Sequence, residues 1–122
     1  MWMTDPEIMC KNHLLGEHRE LHMLMGMLKK QTSMKGYLEN NLFEPLAIKS
    51  RHDELVAEME RRGYNGHKTP LVFNPHGDLS YLGNDILWKV DTKLSTEELL
   101  SRCPECRNRY KDLKITETRG GY

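Results

Sequence analysis

The sequence predicts a mainly α fold, a compact bundle of about three helices with a long ordered loop and little or no sheet. Two stretches, Asn12 to Lys30 and Glu44 to Arg62, keep apolar residues at helical spacing, and a third carries a capping box at Ser95-Thr96-Glu97-Glu98. Between the second and third, glycines and prolines (Gly66, Pro70, Pro75, Gly77, Gly83) break every period. At 122 residues the chain suits one domain and can bury about two thirds of its unfolded surface.

Thr4-Asp5-Pro6-Glu7 reads as a short helix start, with Thr4 capping and Pro6 in the first turn. Asn12 is a second cap for the first long helix, whose later half is softened by Met23, Met25, Met27 and Gly26. Gln31 to Asn41 is a connection. In the second helix Pro45 takes an early position, and Ile48, His52, Leu55, Val56 and Met59 form the buried stripe. Arg61 and Arg62 suit its negative end, and Gly63 is the expected C′ residue. Packed antiparallel, the two helices would let His18 and His22 face His52.

Beyond Tyr64, His67-Lys68-Thr69-Pro70-Leu71 and Asn74-Pro75-His76-Gly77 read as turns in a loop wrapped on the helix pair. At most, short strand pieces are expected near Leu71-Val72-Phe73 and Ile86-Leu87-Trp88. The third helix is expected from Thr96 to Arg102, with Cys103-Pro104-Glu105-Cys106 interrupting it and a further helical turn running through Tyr110 to Leu113. Residues 1–122 thus form one domain: a helical core over 1–71, a loop over 72–94, a helical segment with the CxxC over 95–115, and a loose tail over 116–122.

Lys+Arg and Asp+Glu both number 18, so the charge of the whole chain argues for no polyanion. Charge is nonetheless segregated: Arg102, Arg107, Arg109, Lys111, Lys114 and Arg119 outnumber Glu105, Asp112 and Glu117 from residue 101 onward, so the C-terminal end alone could touch phosphate. No run approaches the ~18 apolar residues of a membrane span. The first residues lack the basic and apolar regions of a signal peptide, which places the protein in a cytoplasm, that of a host if the source is viral. Three cysteines in such a chain point to thiols or a metal rather than a disulfide framework.

Chemistry concentrates in His13-Leu14-Leu15-Gly16-Glu17-His18-Arg19-Glu20-Leu21-His22. At about 100° per residue, His13, Glu17 and Glu20 share one narrow sector, beside a sector holding Leu14, His18, Leu21, Met25 and Leu28. A solvated face explains the carboxylates as readily as a general acid or base does. His18 and His22, at i and i+4, are joined by His52 as alternative metal ligands, although satisfied core histidines account for the same pattern. Cys103-x-x-Cys106 is half a zinc site, with Cys10 and a histidine as the local supply for the rest.

The run from His13 to His22, followed by Arg51-His52-Asp53-Glu54-Leu55-Val56-Ala57-Glu58-Met59-Glu60-Arg61-Arg62-Gly63-Tyr64 and by His67 to Leu71, resembles the pyrimidine-dimer DNA glycosylase family, of the phage endonuclease V type and its prokaryotic relatives. The resemblance covers Trp2 to Leu71. It implies an enzyme of DNA repair that binds double-stranded DNA, flips a base and works beside a helix glutamate. By the same resemblance the N-terminal α-amine attacks C1′ of the damaged nucleotide, and the imine that forms permits strand cleavage by β-elimination, the AP lyase activity. Glu20 takes the acid/base role, and His13, Glu17, Arg19, Arg61 and Arg62 are expected to contact substrate. Trp2 is too bulky for ordinary removal of the initiator residue, which makes Met1 the carrier of the nucleophile. An α-amine titrates near about pH 8 and needs little tuning for that task.

The leading expectation is therefore a DNA glycosylase with associated lyase activity, needing no cofactor for catalysis, with a structural zinc at Cys103, Cys106 and Cys10 left open. The alternatives are a metal-dependent hydrolase or nuclease on His18, His22 and His52, and a non-enzymatic helical binding module.

Overall fold

A computed structural model describes residues 1–64 and 70–120, with residues 115–120 as backbone alone. The turn at His67-Lys68-Thr69 and the last two residues lie outside that range. Among the described residues six α-helices follow in order: α1 (Lys11–Lys29), α2 (Lys35–Glu39), α3 (Ile48–Arg61), α4 (Pro75–Asp78), α5 (Thr92–Arg102) and α6 (Pro104–Gly120). Single 3₁₀ segments cover Pro6–Ile8 and Pro45–Ala47, Ser80–Leu87 holds two 3₁₀ turns kinked at Gly83, and no strand occurs among the described residues. The mainly α, compact architecture expected from the sequence is the one observed.

α1 packs on α3 through the seam their periodicity dictates. Leu14, Leu21, Leu24 and Leu28 of α1 and Ile48, Leu55 and Met59 of α3 are at most 1% exposed. Each such side chain contributes about 1.5–3 kcal/mol by leaving water, so this seam dominates the stability of the molecule. α5 and α6 form a hairpin, and α6 closes on the 3₁₀ turn at Pro6–Ile8. The first ten residues are thereby caught between the N-terminal helix pair and the C-terminal hairpin, with Met1, Thr4, Pro6, Ile8, Met9 and Cys10 all buried.

Several local expectations are corrected. Asp5, not Thr4, caps the first turn, accepting from the Glu7 N–H at 3.0 Å, while Thr4 is buried and its hydroxyl accepts from Thr96 Oγ1 at 2.7 Å. Cys10, not Asn12, is the N-cap of α1. α5 begins at Thr92, four residues before the expected start, because Asp91 caps it through the Leu94 N–H at 3.0 Å and leaves Ser95 inside the helix. The strand pieces are replaced by irregular chain at Leu71-Val72-Phe73 and by the 3₁₀ turn ending at Leu87, because the Pro75 and Gly83 breaks leave only short runs between them. Helix α6 continues to Gly120, through part of the stretch expected to be loose. Gly63 does end α3 with a positive φ of 79°, a conformation that costs glycine little.

Candidate active site

The N-terminus folds back on the first long helix. Met3, with φ 55°, turns the chain through the left-handed region, which a side chain adopts only when its surroundings impose it. Beyond that turn Met1 is 3% exposed, and its α-amine pairs with the Glu20 carboxylate and donates to the Leu42 carbonyl at 2.8 Å. Leu42 is presented by a second left-handed residue, Asn41 at φ 60°, whose side chain bridges to Asp91 N at 2.6 Å. Met1 Sδ accepts from the Glu44 N–H at 3.4 Å. The nitrogen is thus held by two partners and the Met1 side chain by a third, while the Glu20 side chain stays 34% exposed.

Glu17, one turn earlier, has a different fate. Both of its oxygens are held by Arg51, from Nε at 2.5 Å and from Nη2 at 2.9 Å, with both side chains at most 1% exposed. Arg51 spends its remaining donors on the Thr4 carbonyl and Glu54 Oε1, each at 2.7 Å, and on Met9 Sδ at 3.5 Å. All five N–H groups of a buried guanidinium are thereby answered, as burial of such a charge requires. Sequence reasoning missed Arg51 as a site-building residue; its place one turn before the buried Leu55 on α3 was the available signal. It also corrects the expectation of a substrate contact at Glu17, whose carboxylate is closed to solvent.

His13 is likewise turned elsewhere. Its Nδ1 lies 3.1 Å from Cys10 Sγ and 3.6 Å from Cys106 Sγ, and Cys10 Sγ lies 3.8 Å from Cys103 Sγ. These four side chains each offer one ligand atom, all within 4.8 Å of one another. Burial pushes the Cys106 thiol up to about 12. Burial also raises the Cys103 thiol, but N–H and S–H donors from Cys106 and Cys10 outweigh it and hold the group below its ordinary value.

His18, His22 and His52 do meet across the α1–α3 seam, with ring centroids 4.9–5.0 Å apart and ligand atoms within 4.8 Å. His52 Nδ1 lies 3.1 Å from Asp53 Oδ1, which leaves its Nε2 aimed into the cluster. Of the arginines expected to meet substrate, Arg19 is exposed beside Glu20. Arg62 is instead a strap, its side chain 11% exposed and bonded to Glu58 at 2.7 Å and to the Pro6 carbonyl at 2.9 Å. Arg61 pairs with Glu58 and with Glu7 at 3.2 Å while remaining 60% exposed.

A cavity of about 470 Å³ lies between the first 3₁₀ turn and the hairpin, lined by Thr4, Glu7, Ile8, Tyr110 and Lys114 among others, and it takes in neither Met1 nor Glu20. The Glu20 carboxylate instead is partly open to solvent, with the buried Met1 amine behind it. Gly16, one turn from Glu20, has no atom within 4 Å of where a Cβ would stand, and Met23 and Leu42 are 48% and 45% exposed.

Comparison with protein families decides the lineage, because the model for pyrimidine dimer DNA glycosylase matches residues 1–70, more than half of the chain. The chain belongs to the pyrimidine dimer DNA glycosylase family. No curated protein and no solved structure matches it. Membership supports a DNA-repair role of the pyrimidine-dimer glycosylase kind, with DNA as substrate. The matched segment contains the amine, Glu20, the Glu17–Arg51 pair and the histidine cluster, whereas Cys103 and Cys106 lie beyond it. Among the described residues no helix is long and apolar enough to cross a membrane.

Proposed function

We propose that this member of the pyrimidine dimer DNA glycosylase family is a glycosylase with associated AP lyase activity on double-stranded DNA, with the Met1 α-amine as nucleophile and Glu20 as acid/base. The observation that carries the reading is the contact between that amine and that carboxylate, formed by two residues nineteen apart in sequence. Glu20 takes a proton from the ammonium, and the freed nitrogen bonds to C1′ as the bond from C1′ to the damaged base breaks, its electron pair leaving with the base. Opening of the sugar ring at O4′ gives the imine. Loss of a proton from C2′ then expels the 3′ phosphate, and water returns the amine.

Glu20 also stabilises the positive charge that develops at the sugar and the imine. Arg19, exposed next to Glu20 in the chain, takes the role of a phosphate or base contact in this reading, and the exposed Met23 and Leu42 offer an apolar face to an extruded nucleotide. No step calls for a cofactor, and zinc, where bound, has a structural part at the cysteines.

Borohydride trapping on ultraviolet-damaged duplex tests this. A covalent complex that disappears when the α-amine is blocked is the expected result. A complex that survives blocking, or active protein that traps none, refutes the amine mechanism.

A second reading, a metal-dependent hydrolase, draws on the convergence of His18, His22 and His52. It requires DNA cleavage that a chelator abolishes and that His22→Ala removes, with no trapped complex. The third, a binding module without catalysis, requires DNA binding by a protein that neither traps nor cleaves.

A further inference from the structure

We propose that Cys10, His13, Cys103 and Cys106 form a tetrahedral zinc centre that holds the N-terminal hook, and so the α-amine, in place. Tetrahedral zinc takes sulfur at about 2.3 Å and imidazole nitrogen at about 2.0–2.1 Å, which sets ligand atoms apart by about 3.8 Å for two sulfurs and about 3.6 Å for sulfur and nitrogen. The observed separations are 3.8 Å for Cys10 and Cys103, and 3.1 and 3.6 Å for His13 Nδ1 with Cys10 and Cys106. Three cysteines and one histidine are a closed structural ligand set, with no position left for water or substrate.

Backbone amides already face the sulfurs as they would face thiolates. The Cys10 N–H donates to Cys106 Sγ at 3.2 Å and the Cys106 N–H to Cys103 Sγ at 3.5 Å. Such outer bonds fix ligand orientation and favour the anionic sulfur that zinc binds. All three cysteines are buried, and none is joined to another by a disulfide.

The position of the centre gives it a task. Cys10 and His13 open α1 directly after the hook, while Cys103 and Cys106 sit at the α5–α6 junction, so the ion joins the family-matched segment to the part of the chain beyond it. From this centre two contacts run to the residue next to the nucleophile. The Trp2 ring meets His13 edge-on at 5.9 Å, and Ser95 Oγ, on the helix that ends at Cys103, donates to the Trp2 carbonyl at 2.5 Å. Zinc is therefore a positioning group for the amine and takes no part in the chemistry. The second half of this inference rests on the amine being the nucleophile; the first half does not.

The test uses the full chain. Purified protein is assayed for zinc, loaded with cobalt(II), and probed with an amine-selective reagent at Met1. The expected results are a thiolate-to-cobalt charge-transfer band and one metal equivalent that is lost in Cys103→Ser. His13→Cys, which keeps four ligands, is expected to retain both. Loss of the metal is expected to speed labelling of the α-amine while helix content by circular dichroism is kept. Folded wild-type protein without the cobalt band, or a zinc equivalent that persists when Cys103 and Cys106 are both serine, overturns the site. Labelling that does not change on metal loss overturns the positioning role. Because none of these readouts uses DNA, failure of the glycosylase mechanism would leave them standing, and the two outcomes are distinguishable.

Discussion

Glu17 and Glu20 stand three residues apart on one helix, and they meet cations that put them to opposite uses. Glu17 faces a guanidinium inside the α1–α3 seam, where neither partner reaches solvent. Glu20 faces the α-amine of the buried Met1 and keeps about a third of its own side chain exposed. A buried, bidentate pair fixes geometry but cannot exchange a proton with a substrate it never touches. A carboxylate about a third exposed and paired with an amine keeps one side open to solvent, through which a proton can be exchanged. The same residue type is therefore closed in on one turn and left partly open on the next, where the proposed chemistry needs it, and the difference lies in what the neighbouring chain segments bring to it.

The largest expected effect follows from that contrast. Glu20→Gln should lower imine trapping and strand cleavage by about 100- to 10,000-fold, the usual worth of a positioned acid/base group, while urea midpoints move little. Near-normal cleavage by this variant would remove the role given to the carboxylate. Arg51→Met should do the reverse, costing about 3–5 kcal/mol of stability by stranding the Glu17 charge in the core. Replacing Glu17 as well, by Leu, should recover a large part of that loss, and a double-mutant cycle on chemical denaturation measures it. If Arg51→Met left stability intact but abolished trapping, the assignment of Glu17 to structure would be wrong.

A smaller effect is expected one shell out. Ser95→Ala removes the hydroxyl that holds the Trp2 carbonyl and should cost about 1 kcal/mol. Because that bond lies one residue from the proposed nucleophile, the trapping rate should fall as well, whereas Ser101→Ala, whose hydroxyl bonds only within its own helix, should leave the rate unchanged. Equal effects from the two serines would argue that the hook needs no support from α5.

Much of this was legible in the residues, for reasons that are physical. Helices α1 and α3 announce themselves because one face of each must be apolar, and Gly63 because only a glycine ends α3 at a positive φ without cost. Glu20 and the amine came from a resemblance rather than from periodicity, since nothing in helical spacing says where residue 1 comes to rest. His18, His22 and His52 were paired correctly because two antiparallel helices bring their seams together. His13 was misjudged: helical position put it in the same sector as Glu17 and Glu20, but its partners Cys103 and Cys106 arrive from ninety residues away. Arg51 and Ser95 were missed for a related reason. An arginine or serine on a helix looks solvated until the segment that buries it is known, and here that segment is the hook of residues 1–10 for both.

The contrast between buried and half-exposed groups extends to the histidines of the same helix, where it predicts a dependence on pH. Burial lowers the affinity of His22 for a proton below its ordinary value of 6.5, and the charge His52 would carry lowers it further. A depressed value means that the unfolded chain binds the proton more readily than the folded one does. Stability then rises with pH wherever the two differ, is lost progressively as pH falls through the unfolded value, and is unaffected well above it. Urea midpoints of protein kept in chelator should therefore decline from pH 7 toward pH 5, and His22→Gln should flatten that decline. Asp53, whose carboxylate is lowered first by its hydrogen bond to His52, titrates below this window and leaves the slope there unchanged. A midpoint that rises on acidification would mean that the cluster welcomes a proton, and with it that the seam between α1 and α3 is wetter than its packing implies.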